Sequence, residues 1–183
     1  MRAADIADQL TEVLVTEEEI HAKLDELARQ VEADYAGKDL LLVGVLKGAV
    51  MVMADFARAL ARDVRIDWMA VSSYGAGTRS SGVVQILKDL DTDLHGRHVL
   101  IVEDIIDSGL TLSWLLENFA SRGAASIEIL ALLRKPDAAK VELHPRYVGF
   151  DIPNDFVVGY GLDYDEHYRN LRDVAALAAH VYS

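Results

Sequence analysis

Two stretches of this chain are apolar without interruption: Leu40–Leu46, and Val99 through Leu100 and Ile101 to Val102. A strand with one wet face alternates apolar and polar residues. A strand that is apolar throughout is covered on both faces, as happens where helices pack on either side of a parallel sheet. Helical patterns follow both runs, at residues 49–60 and 110–121. Further strands are expected at 64–71, 83–87, 127–133, 147–150 and 156–160, with the second buried strand spanning 98–102. Thr16-Glu17-Glu18-Glu19 reads as a capping box opening a helix that carries Ile20, Leu24, Leu27 and Val31 on one face. A last short helix is expected at 174–181. Strands alternating with helices predict an α/β fold, a mostly parallel twisted sheet flanked by helices. Ligands of such sheets sit at the carboxyl ends of the strands. With 183 residues, no internal repeat and only three prolines, residues 1–183 read as a single domain.

Charge and composition narrow the partners. Eighteen Lys and Arg against 30 Asp and Glu give a net charge of −12, so a basic footprint for nucleic acid or anionic lipid is absent. There is no cysteine, which excludes disulfides and thiolate chemistry. Lys47 splits the longest apolar candidate, residues 40–54, well short of the roughly 18 residues a membrane helix needs. Asp5, Asp8 and Glu12 stand where a signal peptide would need an apolar run. The expectation is a cytoplasmic protein with neither a nucleic-acid nor a membrane partner. Any anionic ligand must then be held by helix N-termini, a few placed cations or a metal.

The second buried run leads into the most informative segment, Glu103-Asp104-Ile105-Ile106-Asp107-Ser108-Gly109-Leu110-Thr111. Two adjacent carboxylates are expected at the strand end, and a third follows at a turn that opens a helix. Asp107, Ser108 and Thr111 are candidate caps, and Gly109 permits close backbone approach, so free N–H groups there make an anion site. Two carboxylates beside an anion-binding turn make sense when a cation or sugar hydroxyls share the site.

This segment closely resembles the phosphoribosyl-pyrophosphate signature of type I phosphoribosyltransferases. Four further blocks narrow the resemblance to the hypoxanthine-guanine phosphoribosyltransferases: Val45-Leu46-Lys47-Gly48, Ser72-Ser73-Tyr74-Gly75, Leu132-Leu133-Arg134-Lys135, and the run from Val148 to Arg169. The resemblance implies that fold, with a small hood built from the terminal segments. It implies transfer of the 5-phosphoribosyl group from phosphoribosyl diphosphate to hypoxanthine or guanine, with Mg²⁺ as cofactor, by a homodimer or homotetramer.

The site residues follow from the same resemblance. Glu103 and Asp104 would hold the ribose hydroxyls and one Mg²⁺, and Asp163 a second Mg²⁺. Asp107 would be the proton acceptor facing purine N7, while Ser108, Gly109, Leu110 and Thr111 wrap the 5′-phosphate. Human-type members carry lysine where this chain has Leu110, so one phosphate charge is absent here. Lys47, Gly48 and Arg169 would meet the pyrophosphate, with Ser73 and Tyr74 also in the substrate-binding set. Lys135 would donate to the purine 6-oxo group, Phe156 would stack on the purine, and Val157 would read its edge through the backbone. A non-proline cis peptide at Leu46–Lys47 is implied as well.

Each of these residues has a plainer role open to it. Read alone, Lys47 is a lysine snorkelling at a strand end, Lys135 an ordinary solvated lysine, Phe156 an ordinary core aromatic, and Arg169 a surface arginine pairing with Asp165 or Glu166. The loop 72–82, with four serines and three glycines, reads as a lid or as a surface loop. Its Gly75-Ala76-Gly77 lacks the third glycine of a dinucleotide fingerprint. His95 and His98 hint at zinc but lack a third ligand. Two other activities stay open: a xanthine-preferring enzyme, and an RNA-binding regulator on the same fold, which would need a basic face.

Overall fold

Thr16 closes the capping box that the sequence predicts: its hydroxyl accepts the Glu19 N–H (3.3 Å), and the Glu19 carboxylate accepts the Thr16 N–H (2.9 Å). The chain is seen in a computed structural model that describes residues 1–73 and 84–182. After a 3-10 segment, Ala3–Gln9, come β1 (Leu10–Val15), α1 (Glu17–Asp34), β2 (Leu40–Leu46), α2 (Val50–Ala59), β3 (Arg65–Ser73) and β4 (Val84–Lys88). Next are β5 (His98–Ile106), α3 (Leu110–Ser121), β6 (Ser126–Arg134), β7 (Tyr147–Asp151), β8 (Val157–Val158), β9 (Val174–Leu177) and α4 (Ala179–Tyr182). Among the described residues no helix is long and apolar enough to cross a membrane.

The central sheet has the order β4-β3-β2-β5-β6-β7. Every pairing is parallel except β3 with the edge strand β4. From β2 the chain crosses over to β3 on one side, and from β5 to β6 on the other. The strand order therefore reverses between β2 and β5, which is where doubly wound sheets open a ligand crevice.

Burial on both faces explains the uninterrupted apolar runs. Leu40 and Leu42 pack into a cluster with Ile20 and Leu24 of α1 and Val52 and Phe56 of α2. Leu41, Val43 and Val45 pack on the opposite face, with Leu112, Leu115 and Phe119 of α3. Both faces of β2 are thus dry, and substituting any of these residues by a polar one would strand a polar group without a partner.

The terminal segments form a separate three-stranded antiparallel sheet, β1-β9-β8, the hood implied by the family resemblance. Here the helix expected at 174–181 is corrected. Residues Val174–Leu177 are a fully buried strand, and only Ala179–Tyr182 is helical. Ala175 pairs with Val13 on one side and Val158 on the other, and a strand held on both edges overrides the helix propensity of alanine. The strand expected at 156–160 shrinks to Val157–Val158, because Gly159, Tyr160 and Gly161 all take positive φ and turn the chain. β5 is longer than expected: it runs on to Ile106 and stays paired with β6 as far as Arg134. Glu103 and Asp104 therefore stand within the last turns of the ladder, not beyond it.

Candidate functional site

The carboxyl ends of β2 and β5 lie side by side and bring most of the predicted residues together. At the end of β2 the Leu46–Lys47 peptide is cis. The following residue, Gly48, backs directly onto the Asp104 carboxylate, and an added Cβ would collide with Asp104 Oδ2. Gly161 approaches from the hood side, where a Cβ would collide with the Gly48 carbonyl oxygen. The Asp104 carboxylate behind Gly48 and the Gly48 carbonyl behind Gly161 thus make glycine the fitting residue at positions 48 and 161.

A cleft of about 250 Å³ opens at this point, lined by Val45, Glu103, Asp104, Asp107, Ser108 and Thr111, among others. Another hollow of about 270 Å³ lies by α1 and α2, but its Asp55 is already taken by the Tyr160 hydroxyl at 2.6 Å. The strand-end cleft carries the unusual electrostatics. Glu103 is buried, and burial with the neighbouring Asp104 charge pushes its carboxyl well above the ordinary carboxylate range. Asp104 is pushed up to about 6, chiefly by burial. The N–H of Ile105, donating to its Oδ1 at 2.7 Å, and the charge of Arg169 offset only part of that rise. Among the described residues neither carboxylate has a cation within ion-pair distance. Oxygen donors short of compensating charge fit a hard cation that completes its shell with water and substrate oxygens.

Past β5 the chain turns through Asp107 and Ser108 to Gly109, whose φ of +78° sets the start of α3. A side chain at 109 would also meet Leu143 Cδ1 at 2.8 Å. The expected caps do not form: Asp107 and Thr111 make no capping bond, and the Ser108 hydroxyl reaches only the Leu110 N–H, at 3.5 Å. Apart from that long contact the helix start carries no side-chain cap, and Ser108, Gly109 and Thr111 line the cleft there.

Lys135, read from sequence alone as solvated, is buried behind β6, with its ammonium 3.6 Å from the exposed Asp107 carboxylate. Its backbone N–H donates to the Ile106 carbonyl (2.9 Å), which fixes it beside the turn. Phe156 is 40% exposed at the hood edge. Tyr182 stacks on it at 5.0 Å between centroids, and Tyr164 meets it edge-on at 5.7 Å. Val157 is buried in β8. Tyr74 and the loop residues 74–82 fall outside the described residues, and of Ser73 the backbone pairing with Val84 is seen.

The hood turn supplies the remaining groups. Arg169 donates to the Gly161 carbonyl (2.7 Å) and pairs with Asp163 (2.8 Å) and Glu166 (3.2 Å). Glu166 in turn takes the Lys47 ammonium at 2.8 Å. The surface pairing considered for Arg169 is thus present through Glu166, with Asp163 in place of Asp165. Sequence reasoning missed Glu166 as a site residue. Its signal is conformational: Asp165 and Glu166 both have positive φ, and Asp163 Oδ2 accepts the Glu166 N–H at 2.9 Å. His95 and His98 do not join any site; His98 Nδ1 lies 2.7 Å from the Ser126 hydroxyl at the opposite end of β5. Among the described residues no three His, Asp or Glu side chains converge as a ready-made metal cage.

A family model described as a phosphoribosyl transferase domain matches residues 11–165. The chain is 57% identical to the hypoxanthine-guanine phosphoribosyltransferase of Mycobacterium tuberculosis, over 93% of this chain and 87% of that one. It is 49% identical to the hypoxanthine-guanine phosphoribosyltransferase of Streptococcus agalactiae, over 97% and 99% of the two chains. Among solved structures, a hypoxanthine phosphoribosyltransferase from Staphylococcus aureus superposes with a TM-score of 0.94 at 47% identity, covering 98% of this chain and 97% of that one.

Proposed function

The chain belongs to the phosphoribosyltransferase family, on its hypoxanthine-guanine branch, and from that premise we propose that it transfers the 5-phosphoribosyl group of phosphoribosyl diphosphate to hypoxanthine or guanine. IMP or GMP and diphosphate are the products. The observation that carries this reading is the pairing, in one cleft, of a buried and a half-buried carboxylate, both short of positive charge, with an uncapped helix N-terminus. One suits a sugar and a cation, the other a phosphate.

In this reading Ser108, Gly109, Leu110 and Thr111 hold the 5′-phosphate on the α3 N-terminus. Lys47, Gly48 and Arg169 receive the diphosphate, the arginine through its planar fork. Ser73 and Tyr74 complete the substrate contacts. Phe156 stacks on the purine, the Val157 backbone meets its edge, and the Lys135 ammonium donates to its 6-oxo group. As the bond from C1 of the sugar to the diphosphate oxygen breaks, positive charge grows on the ribosyl ring. Glu103 and Asp104 stabilise that charge. The purine nitrogen forms the new bond to C1, and Asp107 takes the N7 proton. Bound through Glu103, Asp104 and Asp163, Mg²⁺ would supply charge neutralisation for the diphosphate. Assembly as a homodimer or homotetramer, in the cytoplasm, belongs to the same reading.

Incubation of the protein with Mg²⁺, phosphoribosyl diphosphate and each purine base tests it. Nucleotide should form from hypoxanthine and guanine. It should not form from adenine, whose 6-amino group meets the Lys135 ammonium donor to donor. Nucleotide from adenine alone, or from no base, would overturn the assignment.

A further inference from the structure

Glu166 divides its carboxylate between two cations: Oε2 lies 2.8 Å from the Lys47 ammonium and Oε1 lies 3.2 Å from the Arg169 guanidinium. Lys47 directly follows β2 and Arg169 belongs to the hood, so one side chain ties the end of β2 to the hood. Its position does not depend on either cation, because the Asp163 carboxylate holds the Glu166 N–H in a turn of positive φ. Arg169 is likewise held without Glu166, by Asp163 (2.8 Å) and the Gly161 carbonyl (2.7 Å).

We propose that Glu166 is a positioning residue and an internal competitor for diphosphate: it holds Lys47 and Arg169 between the end of β2 and the hood and must give them up when the diphosphate group binds. This rests on the reading that Lys47 and Arg169 receive diphosphate. Its consequence has an unusual sign. Removing the Glu166 charge frees Lys47 and relieves Arg169 of one of its two carboxylates without removing either cation, so diphosphate binding tightens. Exposed ion pairs of this kind are each worth a factor of roughly 1.4 to 5, so losing both should tighten binding by about 2- to 25-fold. The Lys47 and Arg169 bonds hold the Glu166 carboxyl below its usual range, which agrees with a carboxylate that is charged and engaged.

Glu166→Gln keeps the shape and the N–H donated to Asp163 while removing the charge. Titration calorimetry with magnesium diphosphate, on wild type and on the variant, reads the effect directly. Kinetics add a second readout: the KM for phosphoribosyl diphosphate should fall with the diphosphate Kd, while the KM for hypoxanthine stays put. Glu166→Ala should show the same direction. A residue that merely shapes the turn would weaken binding when replaced, so an unchanged or higher Kd in both variants overturns the proposal. A wild type that binds magnesium diphosphate but forms no nucleotide would overturn the functional reading instead, and the comparison of Kd values would still decide the role of Glu166.

Discussion

Gly48 backs onto the Asp104 carboxylate with no room for a Cβ between them. The chain just after β2 is thereby packed against the end of β5 where the sheet order reverses, at a carboxylate that lines the cleft. Glycine here serves the packing of one loop on another strand, not a positive φ.

Gly48→Ala should therefore cost both stability and activity. Something must shift to admit the methyl group, and overpacking of this kind costs about 1–3 kcal/mol. A lowered Tm together with a larger fall in kcat, from the displaced Asp104 carboxylate, is the expected pair of results. At Gly37 a Cβ meets nothing within 4 Å but φ is +74°, so a substitution there would cost backbone strain rather than overpacking.

Asp107→Asn separates chemistry from folding. Asp107 is 58% exposed at its side chain, and its one ion pair among the described residues, to Lys135, is 3.6 Å long. Its replacement should shift stability by no more than about 0.5 kcal/mol. Turnover should nevertheless fall by roughly 10²- to 10⁴-fold, as expected when a proton acceptor is lost. A rate near that of wild type would remove Asp107 from the role of base.

Lys135→Ala is expected to act on the purine. The ammonium is buried, so the 6-oxo group it would serve is left without a charged partner, at a cost of about 1.5–3 kcal/mol. The KM for hypoxanthine and guanine should rise by roughly 10- to 100-fold, with that for phosphoribosyl diphosphate changed far less. Equal changes for both substrates would show that Lys135 does not read the base.

Asp104 links the site to stability through pH. Its carboxyl is pushed up to about 6 in the folded chain, so the folded state binds this proton more tightly than the unfolded state does. The group contributes most to stability below about pH 4, and that contribution is lost as the pH rises through about 6. At pH 7.5 Asp104→Asn should consequently be more stable than wild type, by an amount on the order of 1–3 kcal/mol. At pH 4 the two should melt alike, and transfer should be impaired throughout. Denaturation at the two pH values checks the sign, and a variant no more stable at pH 7.5 would contradict it.

The central sheet was legible because its signals are local. An apolar run without alternation says that β2 and β5 are dry on both faces, and the Thr16 box says where α1 begins. The hood was less so. β9 is an alanine-rich segment that becomes a strand only because β1 and β8 hold both its edges, and neither partner is near it in sequence. The reach of β5 to Ile106 depends on β6 in the same way. In the site, the order Glu103, Asp104, Asp107 and Gly109 reads directly from the chain. The burial of Lys135, the Tyr182 ring on Phe156 and the hold of Glu166 on Lys47 arise from contacts across the fold and leave no trace in local pattern.

The initial rate of IMP formation from hypoxanthine and phosphoribosyl diphosphate, measured in Mg²⁺, in excess EDTA, and after Mg²⁺ is restored, tests the account most directly. Glu103 and Asp104 at the end of β5 are hard oxygen donors short of positive charge, so IMP should form in Mg²⁺, cease in EDTA and resume on restoration. Undiminished IMP formation in EDTA, or none in Mg²⁺, would contradict metal-assisted phosphoribosyl transfer at this site.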